Sequence, residues 1–146
     1  MRYEEIYIAR YNNGERNFKR EITIFDQFYN EQLFGEQGVK QLIEIYAQKL
    51  KETNPIAHSY FEDYTDLTVI SIDIDNLDEE MRELKDEIYE HSKTVGGDGD
   101  SFDYFPDLIF AFQQICEQLD RKEDYNEIVR YLNENDIIAD DTYEEI

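Results

Sequence analysis

The chain has 146 residues, 40% of them hydrophobic, which suits one compact domain with a core of its own rather than two. Against 36 acidic side chains it has only 14 basic ones, and a net charge of −22 argues against direct binding to DNA or RNA. One cysteine and two histidines exclude an intramolecular disulfide and disfavour a cysteine or histidine zinc site. The sequence therefore predicts a single acidic domain over residues 1–146.

Neither a membrane span nor a secretion signal is predicted. The first ten residues, MRYEEIYIAR, lack an apolar stretch, and no segment reaches the ~18 consecutive apolar residues of a membrane helix. We therefore expect a cytoplasmic protein with no membrane partner. Residues 138–146 are acidic and contain no base, and we expect a flexible tail there.

The charge is distributed unevenly along the chain. Residues 1–51 hold eight acids and eight bases, so this part is neutral. Residues 52–146 hold 36 minus 8, or 28, acids and 14 minus 8, or 6, bases. The whole excess of 22 negative charges thus lies in the last two thirds of the chain.

The first 25 residues have the alternation of β-strands. Ile6 and Ile8 share one predicted face. The opposite face carries Tyr3, Tyr7 and Tyr11. Asn-Asn-Gly at 12–14 tolerates the positive φ angles of a tight turn, and alternation resumes over 18–24. The pattern predicts a β-hairpin over residues 3–25.

Two helical segments and a third strand are predicted next. Asp26 is placed to cap a short helix, and Gly35 to end it in a left-handed conformation. Apolar residues at helical spacing then continue to Asn54-Pro55. The β-branched residues of 67–74 alternate again and indicate a strand that we expect at the centre of the sheet.

Three more helices are predicted after this strand. Asn76 and Glu79 have the spacing of a capping box. The helix behind it carries the apolar stripe Leu77, Met81, Leu84 and Ile88. A glycine-rich loop precedes Pro106, which is expected in the first turn of the most buried helix, and a short helix follows over about 125–132.

The predicted class is α+β. We expect an N-terminal β-hairpin and a third strand in a small antiparallel or mixed sheet, packed against four to five helices.

Asp73, Asp75 and Glu79 are the strongest metal candidates. Carboxylates at a strand end followed by a helix suit Mg²⁺, and their chemistry would be metal-dependent phosphate hydrolysis. Such an enzyme also needs cations for its substrate, and only Arg82 and Lys85 lie nearby in sequence. The alternative is that the aspartates serve the turn and the positive end of the helix. We favour this alternative and predict no metal, no cofactor and no catalytic residue.

Carboxylates dominate the middle of the chain. Residues 60–108 contain sixteen acids and three bases, interleaved with aromatic residues. On the helix after Asn76 the acids recur at about 5.4 Å, the rise of one turn, and like charges at this spacing destabilise a helix. The predicted partner-binding residues are Glu79, Glu80, Glu83, Asp86, Glu87, Glu90, Asp98, Asp100, Asp103 and Tyr104.

These features predict an acidic inhibitor or antidote that binds the basic nucleic-acid cleft of a partner protein, with carboxylates in place of phosphates. Its charge and size are those of phage anti-defence proteins, including anti-CRISPR proteins and anti-restriction DNA mimics, and of immunity proteins against nuclease toxins. The expected partner is a nuclease or a similar basic protein. The alternatives are a solvated acidic surface, the phosphohydrolase, and an accessory protein that docks, as a homodimer or on another chain, through the neutral hairpin.

Overall fold

The structure, a computed structural model, confirms the α+β class. It describes residues 2–10, 18–53, 55, 58–59, 66–93, 99–135 and 144–146, and of residues 53 and 99–104 only the backbone. The strands are β1 (Tyr3–Arg10), β2 (Ile22–Asp26) and β3 (Asp66–Asp73). The helices of the described part are α1 (Gln27–Thr53), α2 (Leu77–Ser92), α3 (Gly99–Leu119) and α4 (Lys122–Glu134), with a 3₁₀ turn at Ile74–Asn76.

The three strands form an antiparallel sheet in the order β1-β3-β2. The central position predicted for β3 is confirmed, but the prediction of a hairpin between β1 and β2 is wrong. Both strands pair antiparallel with β3, so they run parallel to each other on its two sides. A tight turn joins only antiparallel neighbours, and the chain between parallel strands must cross over.

The sheet separates two apolar cores, and the alternation predicted for β1 is confirmed. The alternation predicted over 18–24 is wrong in β2, where Ile22 is 65% exposed and Phe25 is buried after a bulge in the pairing. Ile6 and Ile8 of β1 face the larger core, which α2, α3 and α4 cover together. Its other large members include Ile70, Ile72, Met81, Leu84, Ile88, Phe105, Phe112, Ile115 and Leu132. Tyr7 and Leu67 point to the opposite face and pack in a smaller core against the second half of α1.

Helix α1 is two helical segments joined at Gly35. Asp26 Oδ1 accepts a hydrogen bond from Tyr29 N at 3.0 Å, so the predicted cap is confirmed. Gly35 has φ 72° and ψ 175°, a positive φ as predicted, but in a region that only glycine occupies readily and not in the left-handed helical region. Gly38 also suits the bend, because a Cβ there would lie 2.6 Å from the Cβ of Phe34.

Gly35→Ala is expected to lower the free energy of unfolding by about 1–3 kcal/mol, because alanine is strained at this backbone conformation. Urea unfolding followed by circular dichroism measures the change. Gln37→Ala, an exposed substitution two residues later, is the control and is expected to change stability by less than about 0.5 kcal/mol. Equal stability of the Gly35→Ala variant and the wild type would contradict the strained conformation.

Helix α3 is the most buried helix, as predicted, but it begins at Gly99, so Pro106 lies inside it and not in its first turn. A proline removes one backbone donor without forbidding helix on both sides. α3 also covers the outer edge of β1. The buried Gln114 side chain accepts from Ala9 N at 2.9 Å and donates to Ala9 O at 3.0 Å, and Gln118 donates to Tyr7 O.

A buried ion pair joins β1 to the residues before β2. The Arg10 and Glu21 side chains are 4% and 0% exposed, and Arg10 Nη2 lies 2.6 Å from Glu21 Oε2. Glu21 also accepts hydrogen bonds from Phe18 N at 2.6 Å and from Thr68 Oγ1 at 2.9 Å. The carboxylate is thus surrounded by donors from three parts of the chain, which compensates for its burial.

The described end of the predicted tail is bound to α4. Ile146 N donates to Asn126 Oδ1 at 2.8 Å, and Ile146 O accepts from Asn126 Nδ2. Glu145 also pairs with Arg130 at 2.9 Å. Residues 138–143 of the tail lie outside the described residues. None of the helices described is long and apolar enough to cross a membrane.

Candidate functional site on the acidic face of helix α2

The turn between β3 and α2 sets the position of the acidic helix. Asp73 Oδ1 accepts from Asp75 N at 3.1 Å, and Asp73 Oδ2 accepts from the Asn76 side chain at 2.9 Å. Asn76 makes no capping bond to α2, so the capping-box prediction is wrong: its amide is used by Asp73 instead. Arg2 pairs with Asp75 at 3.1 Å and ties the turn to the start of β1.

Apolar contacts hold the inner side of α2 rigidly. The predicted stripe is confirmed, since Met81, Leu84 and Ile88 are all fully buried in the larger core. The rings of Tyr89 and Tyr131 also meet edge to face, with centroids 4.7 Å apart. The outer carboxylates therefore stand on a helix that cannot turn without breaking the core.

Lys85 directs its charge away from the acidic face and toward α4. Its Nζ lies 2.7 Å from both Asp124 and Glu127. Burial lowers the pKa of Lys85, but the bonds to these carboxylates outweigh it and leave the pKa above its usual value. Burial likewise raises the pKa of Asp124, and the bonds from Lys85 and Arg121 outweigh it and lower the pKa. One of the two bases of α2 is thus paired with carboxylates of α4 and does not neutralise the acidic face.

The outer side of α2 exposes a row of carboxylates. The Asp78, Glu83 and Glu90 side chains are 92%, 54% and 76% exposed. Several carboxylates of the helix have cationic neighbours, namely Asp78 with Arg121, Glu79 with Arg82, Glu83 with Arg20 and Glu90 with Lys93. These exposed pairs are screened by water and leave the carboxylates open to exchange partners.

A groove of about 490 Å³ lies along this row. It is lined by Lys19, Glu83, Asp86, Glu87, Glu90 and His91. With His91 neutral, four carboxylates and one ammonium leave a net charge of 1 minus 4, or −3. Glu83 and Glu87, like Asp86 and Glu90, are one helical turn apart, so the groove presents two adjacent acidic rows.

Two of the predicted partner-binding carboxylates also support the fold. Glu80, whose side chain is 13% exposed, accepts from Asp73 N at 3.0 Å and pairs with Arg20. Glu87 accepts from Lys19 N at 3.1 Å. The segment before β2 is thereby held against α2, which builds one wall of the groove.

The structure gathers four of the predicted partner-binding residues at the groove: Glu83, Asp86, Glu87 and Glu90. Glu79 lies on the same helix beyond the groove. Asp98 lies outside the described residues, and of Asp100, Asp103 and Tyr104, on the first turns of α3, only the backbone is described.

The structure gives the candidate metal residues other contacts. Asp73 serves the turn, Asp75 pairs with Arg2, and Glu79 pairs with Arg82. Within the described ranges, no group of three or more histidine, cysteine, aspartate or glutamate side chains is arranged to hold a metal ion. Cys116 is buried in the larger core as predicted, and burial raises the pKa of its thiol.

Sequence reasoning missed Lys19 and His91 as groove residues. His91 has a signal, because it follows Glu87 by four positions on the same helix and shares its face. Lys19 has none, because only the tertiary fold brings it to α2. The buried Arg10 was detectable, since it continues the inward alternation of Ile6 and Ile8 and a cation on a core face requires an anionic partner.

Comparisons of the chain with protein-family models, with curated proteins and with solved structures find no match.

Proposed function

We propose that this protein is an inhibitor or antidote that occupies the basic nucleic-acid cleft of a partner protein. The classes it fits are phage anti-defence proteins, such as anti-CRISPR proteins, and immunity proteins against nuclease toxins. The observation that carries the proposal is the acidic groove on α2, lined by four carboxylates on a helix that the core holds fixed. The proposal assigns the chain no catalytic role.

The groove suits arginine and lysine side chains. Glu83, Asp86 and Glu90 converge on a concave surface, where an entering guanidinium or ammonium group meets carboxylates from two adjacent rows. A cleft built to bind phosphates offers such cations at short intervals. Because the carboxylates are already held in place, binding costs little ordering of the helix.

Charge outside the groove adds steering. Residues 52–146 carry a net charge of 6 minus 28, or −22, so a basic partner is attracted before any contact forms. The same charge repels phosphates, so nucleic acid does not bind to this protein. Nucleic acid instead competes with this protein for the cleft of the partner.

Affinity purification tests the proposal. The tagged protein, held on a resin, is incubated with lysate of its host at about 50 mM salt. An excess of duplex DNA is then added to the washed resin. We expect the retained partner to be a basic nucleic-acid-binding protein that the duplex displaces. A partner that stays bound together with DNA would contradict the proposal, as would a mobility shift of DNA by this protein alone.

Salt is expected to weaken the complex with the captured partner. The Debye length falls from roughly 14 Å at about 50 mM salt to 4 Å at about 500 mM, so attraction between separated charges is lost. We expect the affinity to fall at least about tenfold over this range, mainly through slower association. Surface plasmon resonance with the purified partner measures both rates. Equal affinity at the two salt concentrations would show that the acidic face is not the recognition surface.

A further inference from the structure

The first half of α1 exposes four large apolar side chains. Phe28, Tyr29, Leu33 and Phe34 are 72%, 58%, 56% and 58% exposed. Tyr29 and Leu33 lie one turn apart, and the two phenylalanines flank them, so apolar side chains cover more than half of the helix circumference. We call residues 27–34 the apolar segment.

The apolar segment receives little support from the part of the chain that the structure describes. The smaller core takes its α1 residues from Val39 onward, and no residue of 27–34 is buried. An isolated helix shorter than about 12 residues is marginal in water. A contact with another molecule would therefore both cover these side chains and stabilise the helix.

We propose that the apolar segment is the contact between two copies of this chain. An isologous interface must be complementary to itself, a condition that an apolar surface meets and a charged one does not. Helix α1 carries four acids and three bases, so two such helices meet without the repulsion that the acidic part of the chain would create. A basic partner would instead favour the acidic groove.

The shape of α1 also suits a second copy. A groove of about 440 Å³ lies at the bend of the helix, with Val39 and Ile43 as its apolar lining residues and with Gln27, Glu31, Glu36 and Lys40 as its polar ones. Two copies related by a twofold axis can each place an exposed phenylalanine in the groove of the other. A fully buried aromatic side chain covers about 150–250 Å², and 72%, 58% and 58% of Phe28, Tyr29 and Phe34 are still exposed. The three aromatic side chains therefore supply roughly 300–500 Å² of the about 800 Å² per subunit in a stable interface.

This placement differs from the dimer surface expected at the strands. Tyr7 is only 8% exposed, and Lys49 of α1 lies over its ring, 5.8 Å from the centroid. Tyr3 remains 60% exposed, and Tyr11 lies outside the described residues. Of the described aromatic side chains, Tyr3 and the three of the apolar segment are more than half exposed, and only those three lie together on one helix.

Sedimentation equilibrium of the full chain tests the proposal. We expect the wild type to be dimeric at about 100 µM, and Phe28→Ser with Phe34→Ser to raise the dissociation constant at least about thirtyfold. Serine has about the same helix propensity as phenylalanine, so the helix itself is not weakened. The matched control, Phe28→Leu with Phe34→Leu, keeps the surface apolar and is expected to stay within about fivefold of the wild type.

Salt distinguishes this contact from the acidic groove. Screening removes the repulsion between two chains of charge −22, so the dimer is expected to tighten at least threefold between about 50 and 500 mM salt. A wild type that is monomeric at about 100 µM in both salts would overturn the proposal, as would a serine variant that dimerises like the wild type. If the serine variant loses far-ultraviolet helix signal, the single variant Leu33→Gln replaces it in the test. A Leu33→Gln variant that dimerises like the wild type would then overturn the proposal. Failure of the partner-binding function leaves these outcomes unchanged, because the two surfaces share no residue.

Discussion

Glu21→Gln is expected to lower the free energy of unfolding by about 3–5 kcal/mol, a large part of the ~5–15 kcal/mol of a typical domain. Glutamine has the shape of glutamate, so no cavity forms, but it carries one acceptor oxygen and a donor amide. That amide would face Arg10, Phe18 N or Thr68 Oγ1, each of which now donates to the carboxylate. The Arg10 guanidinium would remain buried without its counter-charge.

Urea unfolding measures this loss, with Glu79→Gln as the matched control. Glu79 and Arg82 also form an ion pair, but their side chains are 52% and 65% exposed. Because water screens such a pair, the control is expected to lose less than about 1 kcal/mol. Similar losses in the two variants would mean that the Arg10–Glu21 pair is not the buried connection that the structure shows.

The two faces of the sheet could be predicted from the sequence because strand periodicity is local. Ile6 and Ile8 lie in the larger core and Tyr7, between them in sequence, lies in the smaller core, as the alternation predicts. The stripe of α2 was predictable for the same reason, since its buried residues recur at helical spacing. Elements with one clearly apolar face therefore need no knowledge of their neighbours to be assigned.

The strand order could not be predicted in this way. A strand, a turn-forming Asn-Asn-Gly and another strand make the local pattern of a hairpin, yet β3 lies between them. What decides the pairing is the match of β1 and β2 with a strand that begins 40 residues after β2 ends. The start of α3 is a similar case, because Pro106 indicates a first turn but does not prevent the helix from extending back to Gly99.

The candidate site was predictable as a charge pattern and not as a shape. The carboxylates of α2 are visible in the sequence. Which of them line the groove and which stabilise the fold depends on tertiary contacts. Glu80 looks the same as Glu83 in sequence, yet its side chain is 13% exposed, accepts from Asp73 N and pairs with Arg20. The Glu83 side chain is 54% exposed, lies 3.7 Å from Arg20 and lines the groove. This division tells which residues to change in a test of function without harming stability.

Simultaneous change of Glu83, Asp86 and Glu90 to lysine is expected to lower the affinity for the basic partner at least about a hundredfold. The three side chains are exposed and line the groove, and the core contacts of α2 are left intact. Of the ion pairs that the change removes, Glu90–Lys93 is exposed and Glu83–Arg20 spans 3.7 Å, and Arg20 keeps its pair with Glu80. Reversal changes the local charge by +6, so attraction to a basic cleft becomes repulsion, and both steering and contact are lost. Glu80 and Glu87 are left unchanged because they hold the segment before β2.

The matched control reverses Glu44 and Glu52 on α1 and Glu134 on α4, which are also exposed, line neither groove and change the net charge by the same +6. If recognition depended on total charge alone, both triple variants would lose affinity equally. If it depends on the acidic groove, the control is expected to keep its affinity within about fivefold of the wild type. The small loss would come only from slower association. Surface plasmon resonance with the captured partner measures both, and circular dichroism checks their folds. Full affinity in the groove variant would mean that the acidic face of α2 is only solvated surface. The proposed function would then be contradicted at the site assigned to it.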